Sequence, residues 1–288
     1  MFVLNIFLTG AQGFTGRHFS AAAKAAGHQV TPLTANLLDV AALIAEISAG
    51  PPDAVVHLAG ISFVGHSVDR AFYDVNLFGT LNLLEALNHT GRSLACVLLA
   101  SSANVYGNCK DSPITESQPA APVNHYAMSK LAMEHMARAH ASQLPLVFAR
   151  PFNYTGPGQP SSFVVPKMVN HVLRRASRIE LGNMDVEREF NDVRTVCDAY
   201  LRLLQQGKAG ETYNICTGVT YSLSHVLDAL TRLTGHAMES QVNPAFLRPN
   251  EINKLCGSPQ KLEATVGKLK IRELDDTLSW MLSESTPV

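Results

Sequence analysis

Three side chains in the middle of the chain have types and spacing that could do redox chemistry. Tyr126 and Lys130 stand four residues apart in Tyr-Ala-Met-Ser-Lys, at the start of a segment patterned as a helix, so phenol and ammonium share one face. An ammonium beside a phenol favours the phenolate, which predicts a pKa pulled below the ordinary ~10 and suits the tyrosine to give a proton to a developing alkoxide. Ser102, just beyond an apolar strand, offers a hydroxyl hydrogen bond to the same oxygen. Each piece is commonplace alone: a Tyr and Lys one turn apart are often a surface pair, and Ser-Ser at a strand end is often a turn.

What gives the trio weight is the segment ahead of it, Gly10-Ala-Gln-Gly13-Phe-Thr-Gly16, which follows the first apolar stretch and opens a helix. Glycines so placed let the backbone turn tightly, approach a pyrophosphate, and aim helix N–H groups at it. The spacing is GxxGxxG rather than GxGxxG, and three glycines can also be a mere tight connection. Between strand and helix they read as a dinucleotide loop, and Lys130 then comes within reach of a nicotinamide ribose. The second strand ends in Thr31-Pro32-Leu33-Thr34, without the acid that holds a ribose 2′-hydroxyl in many NAD enzymes and without an Arg for a 2′-phosphate. NADP and NAD both stay open.

The elements that must position these groups alternate. Strands are expected at Val3 to Leu8, His28 to Leu33, Ala54 to Leu58, Ala95 to Ser101 and Leu146 to Arg150, with helices after Gly16, from about Val40, through Asn76 to Leu87, and from about Asn124 to Ala141. That order predicts an α/β fold, a Rossmann-type doubly wound parallel sheet with helices on both faces. After Arg150, the run Pro151, Gly156, Pro157, Gly158, Pro160 and Pro166 breaks the regularity. We expect a smaller C-terminal substrate-binding lobe from about 153–184 and 217–288, with 1–152 and about 185–216 forming the dinucleotide domain. Leu274, Leu278, Met281 and Leu282 around Trp280 predict an amphipathic closing helix.

The bulk numbers point to a small partner. A net charge of -1 over 288 residues marks no nucleic-acid or acidic-membrane binder, and no apolar run approaches the ~20 residues needed to span a bilayer. Cys96, Cys109, Cys197, Cys216 and Cys256 are scattered without metal-ligand spacing and read as reduced thiols of a cytoplasmic protein. The apolar start lacks the basic leader of a signal peptide. His135 and His140, five apart, share no helix face, so no metal is expected; His57 should pack at a strand end and His125 cap or line the site beside Tyr126.

Beyond the loop and the trio, His57-Leu-Ala-Gly60, Asn76-Leu-Phe-Gly-Thr-Leu-Asn-Leu-Leu-Glu-Ala86, Ser101-Ser-Ala-Asn-Val-Tyr-Gly107 and Arg150-Pro-Phe-Asn153 make the chain resemble the extended short-chain dehydrogenases/reductases over almost its whole length. The resemblance implies Ser102, Tyr126 and Lys130 as catalytic. It implies a cofactor site of Gly10, Gln12, Gly13, Phe14, Gly16, Leu58, Ala59, Gly60, Asn76, Tyr126 and Lys130, with Asn36 and Leu37 beside the adenine. Further on, Phe152-Asn-Tyr-Thr-Gly-Pro-Gly-Gln159, Phe163-Val164, Arg188-Glu-Phe-Asn-Asp-Val193, Tyr213-Asn-Ile-Cys-Thr-Gly218 and Leu247-Arg-Pro-Asn-Glu251 look like the GDP-mannose 4,6-dehydratase and GDP-4-keto-6-deoxymannose reductase branch. By that likeness Arg188 and Arg248 grip the nucleotide diphosphate, Glu251 holds a ribose, Asn153 touches the sugar or its phosphate, and Asn104, Phe163, Val164 and Lys167 complete the substrate site.

Dehydratases of that branch carry a Glu two residues after the catalytic Ser or Thr, where this chain has Asn104. Asparagine cannot titrate, so the resemblance implies reduction of the C4 ketone of GDP-4-keto-6-deoxymannose rather than dehydration. A nucleotide-sugar 4-epimerase with retained NAD would use the same trio, and a non-catalytic redox sensor would keep the fold but tends to lose the Tyr and Lys. A homodimer through the helices after Asn76 and around Met128 to Ala139 is the family expectation.

Overall fold

The computed structural model describes residues 3–109, 111–246 and 252–284. In chain order the first half runs β1 (Asn5–Thr9), α1 (Phe14–Ala25), β2 (Gln29–Pro32), α2 (Val40–Ala49), β3 (Ala54–His57), a short α3 (Asp69–Phe72) continuing through a π-helical turn at Tyr73–Phe78 into α4 (Gly79–His89), β4 (Cys96–Ala100), α5 (His125–Ala137) and β5 (Leu146–Pro151). The second half runs β6 (Tyr154–Thr155), α6 (Val164–Leu173), β7 (Arg178–Leu181), β8 (Glu187–Arg188), β9 (Asn191–Asp192), α7 (Val193–Gln206), β10 (Thr212–Ile215), β11 (Tyr221–Ser222), α8 (Leu223–Thr234), β12 (Glu239–Val242), β13 (Lys254–Leu255), α9 (Gln260–Val266) and α10 (Leu274–Glu284).

The main sheet has six strands in the order β10-β5-β4-β3-β1-β2, each parallel to its neighbour. Successive side chains of a strand point to opposite faces, and in every strand but the edge strand β2, which is exposed or half-buried along its length, both faces are buried. Ile6, Leu8, Val56, Leu98 and Val147 join one core with Phe19 of α1 and Tyr200 of α7. Phe7, Val55, Val97, Leu99 and Phe148 join another with Leu43 of α2, Leu83 of α4 and Met133 of α5. The apolar runs expected to be strands are therefore apolar because they feed two cores at once.

A third core lies in the smaller lobe, where Val165 and Met168 of α6, Ile179 of β7, Val226 and Leu230 of α8, and Leu274, Leu278 and Met281 of α10 pack together. The closing helix thus stands where the sequence placed it. Within the stretch 217–288 assigned to the lobe, α9 instead turns back: Leu262 and Val266 pack in the first sheet core. Among the described residues no helix is long and apolar enough to cross a membrane.

Candidate active site

Three glycines shape the turn after β1, and backbone contacts explain each. Gly10 has φ +69, and a Cβ there would stand 2.7 Å from Ala59 N; on Gly16 it would stand 2.1 Å from Gly10 O, and on Gly13 3.2 Å from the same oxygen. Gly13 caps α1 with no side-chain hydrogen bond, so the first N–H groups of the helix, from Phe14 on, meet no competing side-chain acceptor from the cap. A turn this tight, with backbone bared between Gln12 and Gly16, fits a dinucleotide pyrophosphate.

A polar chain that the sequence did not reveal joins the ends of β1 and β3 to the π turn. Thr80 Oγ1 donates to Asn76 O at 2.8 Å, so with its one proton committed it accepts from His57 Nε2, also at 2.8 Å. His57 Nδ1 then accepts from the Thr9 hydroxyl at 2.7 Å, and Thr9 Oγ1 accepts the N–H groups of Leu58 and Ala59 at 3.1 Å each. His57 is buried, and burial together with the Lys130 charge depresses its pKa to about 3. It is a neutral strut at the strand end, as expected.

Asn76 continues the chain from the π turn. Its Oδ1 accepts from Ile61 N at 2.9 Å, and its Nδ2 donates to Ile61 O and to Ser129 Oγ, each at 3.1 Å. Ser129 in turn donates to Tyr126 O at 2.8 Å. A Cβ on Gly60 would lie 2.8 Å from Asn76 Oδ1 and 3.4 Å from Lys130 Nζ, so the ammonium sits beside the glycine that lines the groove.

Tyr126, Lys130 and Glu134 share one buried face of α5. Glu134 takes a bidentate grip from Arg150 of β5, at 2.9 and 2.6 Å, and Lys130 Nζ donates to Ala100 O at the end of β4 at 2.8 Å. These contacts fix the helix on the sheet with Tyr126 near enough to Ser102 for the serine side chain to favour the phenolate. The expected fall in the tyrosine pKa is not what the structure gives. Burial raises it, the Ser102 side chain offsets only part, and burial lowers Lys130 to about 8 against the opposing pull of Glu134. The phenol is therefore held as a proton donor. His125 does not cap the helix: Asn124 does, accepting from Ala127 N at 2.8 Å, while His125 meets Tyr73 Oη at 2.9 Å.

The other expected site residues are spread over the sheet domain and the second half of the chain. Asn36 Oδ1 accepts from Leu38 N at 3.0 Å, and Leu37 packs on Gly79 with its Cβ 3.0 Å from where a glycine Cβ would be. Asn104 donates its N–H to Ser102 Oγ at 3.2 Å, and Asn153 is exposed at the start of the lobe. Phe163 caps α6 ahead of Val164 and meets the ring of Phe63 edge-on at 5.7 Å, joining lobe to sheet domain. Lys167 Nζ donates to Glu180 O at 2.7 Å and lies over the Phe246 ring. Arg188 hydrogen-bonds the carbonyls of Glu187 at 2.9 Å, Asn253 at 3.2 Å and Ile252. Arg248 and Glu251 lie outside the described residues. Among the described residues no group of His, Cys, Asp and Glu could hold a metal, and the five cysteines are free.

Two carboxylates went unread in the sequence. Glu189 is fully buried and accepts from Gly257 N at 2.7 Å, Thr217 N at 2.8 Å and Asn191 Nδ2 at 2.9 Å. Glu46 reaches from α2 to the end of β2, accepting from Thr34 N at 2.9 Å and Ala35 N at 2.6 Å. Of these contacts only that from Asn191 is local in sequence.

A family model for GDP-mannose 4,6 dehydratase matches residues 16–277. The chain is 35% identical over 270 residues to a GDP-6-deoxy-D-talose 4-dehydrogenase of Aggregatibacter actinomycetemcomitans, covering 92% of each. It is 37% identical over 282 residues to a GDP-6-deoxy-D-mannose reductase of Pseudomonas aeruginosa, covering 91% of this chain and 90% of that one. The solved structure of RMD from Pseudomonas aeruginosa, complexed with NADPH, superposes with a TM-score of 0.89 at 34% identity, over 98% of this chain and 97% of that one.

Proposed function

We propose, for a chain that belongs to the NAD-dependent epimerase/dehydratase family of extended short-chain dehydrogenases/reductases, that it reduces the C4 ketone of a nucleotide-linked 4-keto-6-deoxyhexose, with GDP-4-keto-6-deoxy-D-mannose as substrate. The product is GDP-D-rhamnose or GDP-6-deoxy-D-talose, according to which face of the ketone is reduced. The observation that carries the reading is the buried Tyr126 phenol, held as a proton donor with Ser102 favouring its ionised form, and the non-titrating Asn104 next to Ser102 in place of a second acid/base. The names of two relatives, a reductase and a 4-dehydrogenase of GDP-linked deoxyhexoses, support the same chemistry.

A reduced nicotinamide supplies the hydride when bound. Gly10, Gln12, Gly13, Phe14 and Gly16 hold its pyrophosphate, and Leu58, Ala59, Gly60 and Lys130 line the groove that receives the nicotinamide end. Tyr126 Oη gives its proton to the former ketone oxygen while Ser102 Oγ holds that oxygen in place. Lys130, cationic below about pH 8, stabilises the phenolate that Tyr126 becomes. Asn153, Phe163, Val164, Lys167, Arg188, Arg248 and Glu251 grip the nucleotide sugar. The enzyme acts in the cytoplasm, and as a homodimer through the α4 and α5 faces, where Phe78, Met128 and Met136 are exposed.

The test is optical: purified protein, GDP-4-keto-6-deoxymannose and NADH or NADPH, followed by the loss of reduced-nicotinamide absorbance. Oxidation matched to substrate and abolished in Tyr126→Phe supports the reductase. No oxidation with either cofactor, from protein that carries NAD through purification, overturns it in favour of a nucleotide-sugar 4-epimerase.

A further inference from the structure

The stretch that builds β2, α2 and β3 has an unusual charge pattern: no Lys or Arg stands between Lys24 and Arg70, while Asp39, Glu46, Asp53 and Asp69 do. One of these acids is placed where a cofactor would feel it. β1 and β2 pair in parallel from Asn5 with Gln29 to Leu8 with Pro32, and Leu33 N still donates to Leu8 O at 2.9 Å, so the chain leaves β2 toward Thr34 at the same end of the sheet where β1 runs into the glycine loop. A dinucleotide with its pyrophosphate on that loop has its adenosine ribose at the end of the second strand, so the 2′ oxygen comes to Thr34.

At that point Glu46 has taken the donors. Its carboxylate accepts the Thr34 N–H at 2.9 and 3.2 Å, the Thr34 hydroxyl at 3.0 Å and the Ala35 N–H at 2.6 Å. Burial alone would raise its pKa, but the hydrogen bonds from Thr34 and Ala35 outweigh that and hold it below the ordinary carboxylate range, so it is an anion at neutral pH. A 2′-phosphate is bound by backbone N–H groups and a cation. Here both N–H groups serve a fixed negative charge. A ribose 2′-hydroxyl, being neutral, meets no such conflict.

We propose that Glu46 sets the cofactor preference of this chain, admitting NADH and turning away NADPH, by holding from α2 a carboxylate at the end of β2 where the sequence of the strand itself has none. The inference rests on the reading of the glycine loop as the dinucleotide site and adds to it the identity of the dinucleotide.

The experiment is a titration of nicotinamide fluorescence with NADH and with NADPH, with no sugar present, on the full chain, Glu46→Gln and Thr34→Arg. The unaltered protein binds NADH about tenfold or more tightly than NADPH, the size of a like-charge contact near a surface. Glu46→Gln lowers that ratio by roughly the same factor, and Thr34→Arg, which brings a cation while keeping the Glu46 carboxylate and giving up only the Thr34 hydroxyl bond to it, lowers it too. Equal or tighter binding of NADPH to the unaltered protein, or a ratio unmoved in both variants, overturns the proposal. Binding of neither dinucleotide sinks it together with the dinucleotide site, whereas a clear NADH preference without ketone reduction upholds it and removes only the reaction.

Discussion

Lys130 Nζ donates to the carbonyl of Ala100 at 2.8 Å, so a helix residue one turn from Tyr126 is anchored on the carboxyl end of the central strand β4. Burial lowers this ammonium to a pKa of about 8, and Tyr126 is shifted upward, away from the working range. The pH profile of ketone reduction should therefore fall above about pH 8 as Lys130 loses its proton, while the phenol keeps its own. Stability should move the opposite way. A folded pKa below the ordinary lysine value means stability is gained as pH rises from about 8 toward 10.5, on the order of 3 kcal/mol. Paired measurements of kcat/KM and of urea midpoint between pH 7 and about 10 check both signs, and a rate still rising above pH 9 would refute the assignment.

His57 predicts an acid limb. Its pKa falls from 6.5 unfolded to about 3 folded, so its contribution is complete above pH 6.5 and is lost as pH falls toward 3. The slope is at most about 1.4 kcal/mol per pH unit from this one group. Replacing it with Asn flattens stability against pH between 6.5 and about 4, at the cost of lower stability at pH 7, because Thr9 and Thr80 lose their shared partner. Denaturant midpoints across that range decide it.

The Arg150 and Glu134 pair is buried at both ends and ties α5 to β5. Removing one partner leaves an unpaired buried charge, so Arg150→Met or Glu134→Leu alone should cost about 3–5 kcal/mol. The double substitution should cost less than the sum of the two. A double-mutant cycle of unfolding free energies measures the coupling, and simple additivity would contradict it.

Gly16→Ala should abolish cofactor binding before it abolishes folding. The added methyl would meet Gly10 O at 2.1 Å, a clash between backbone segments that no rotamer can relieve. Overpacking of this kind costs about 1–3 kcal/mol and shifts the turn. The expected record is a lowered melting temperature together with the loss of any rise on adding NADH.

Much of this was legible because it is local. The inner strands announced themselves as apolar runs, since a parallel strand covered on both faces is apolar along its length, whereas the exposed edge strand β2 was legible only from its place in the alternation. The glycine loop, Ser102, Tyr126 and Lys130 were legible as short spacings. The rest depends on packing that no window of sequence contains. Glu46 finds Thr34 across 12 residues only because α2 lies back along β2. α7 falls in a stretch read merely as a return to the sheet, and α9 rejoins a core its neighbours leave. The direction of the Tyr126 shift was misjudged for a related reason: the spacing displays the lysine but not the burial that overrides it.

Glu189 has a consequence for inheritance as well as for structure. One carboxyl group accepts hydrogen bonds from Asn191, Thr217 and Gly257, drawing together three separate passages of the chain between sheet and lobe. Cutting the passage at 217 or at 257 takes a donor away from this buried carboxyl group. The lobe cannot then be detached and carried to another protein as a module. New sugar specificities in such an architecture must arise by substitution and by loop change in place, with both halves retained together.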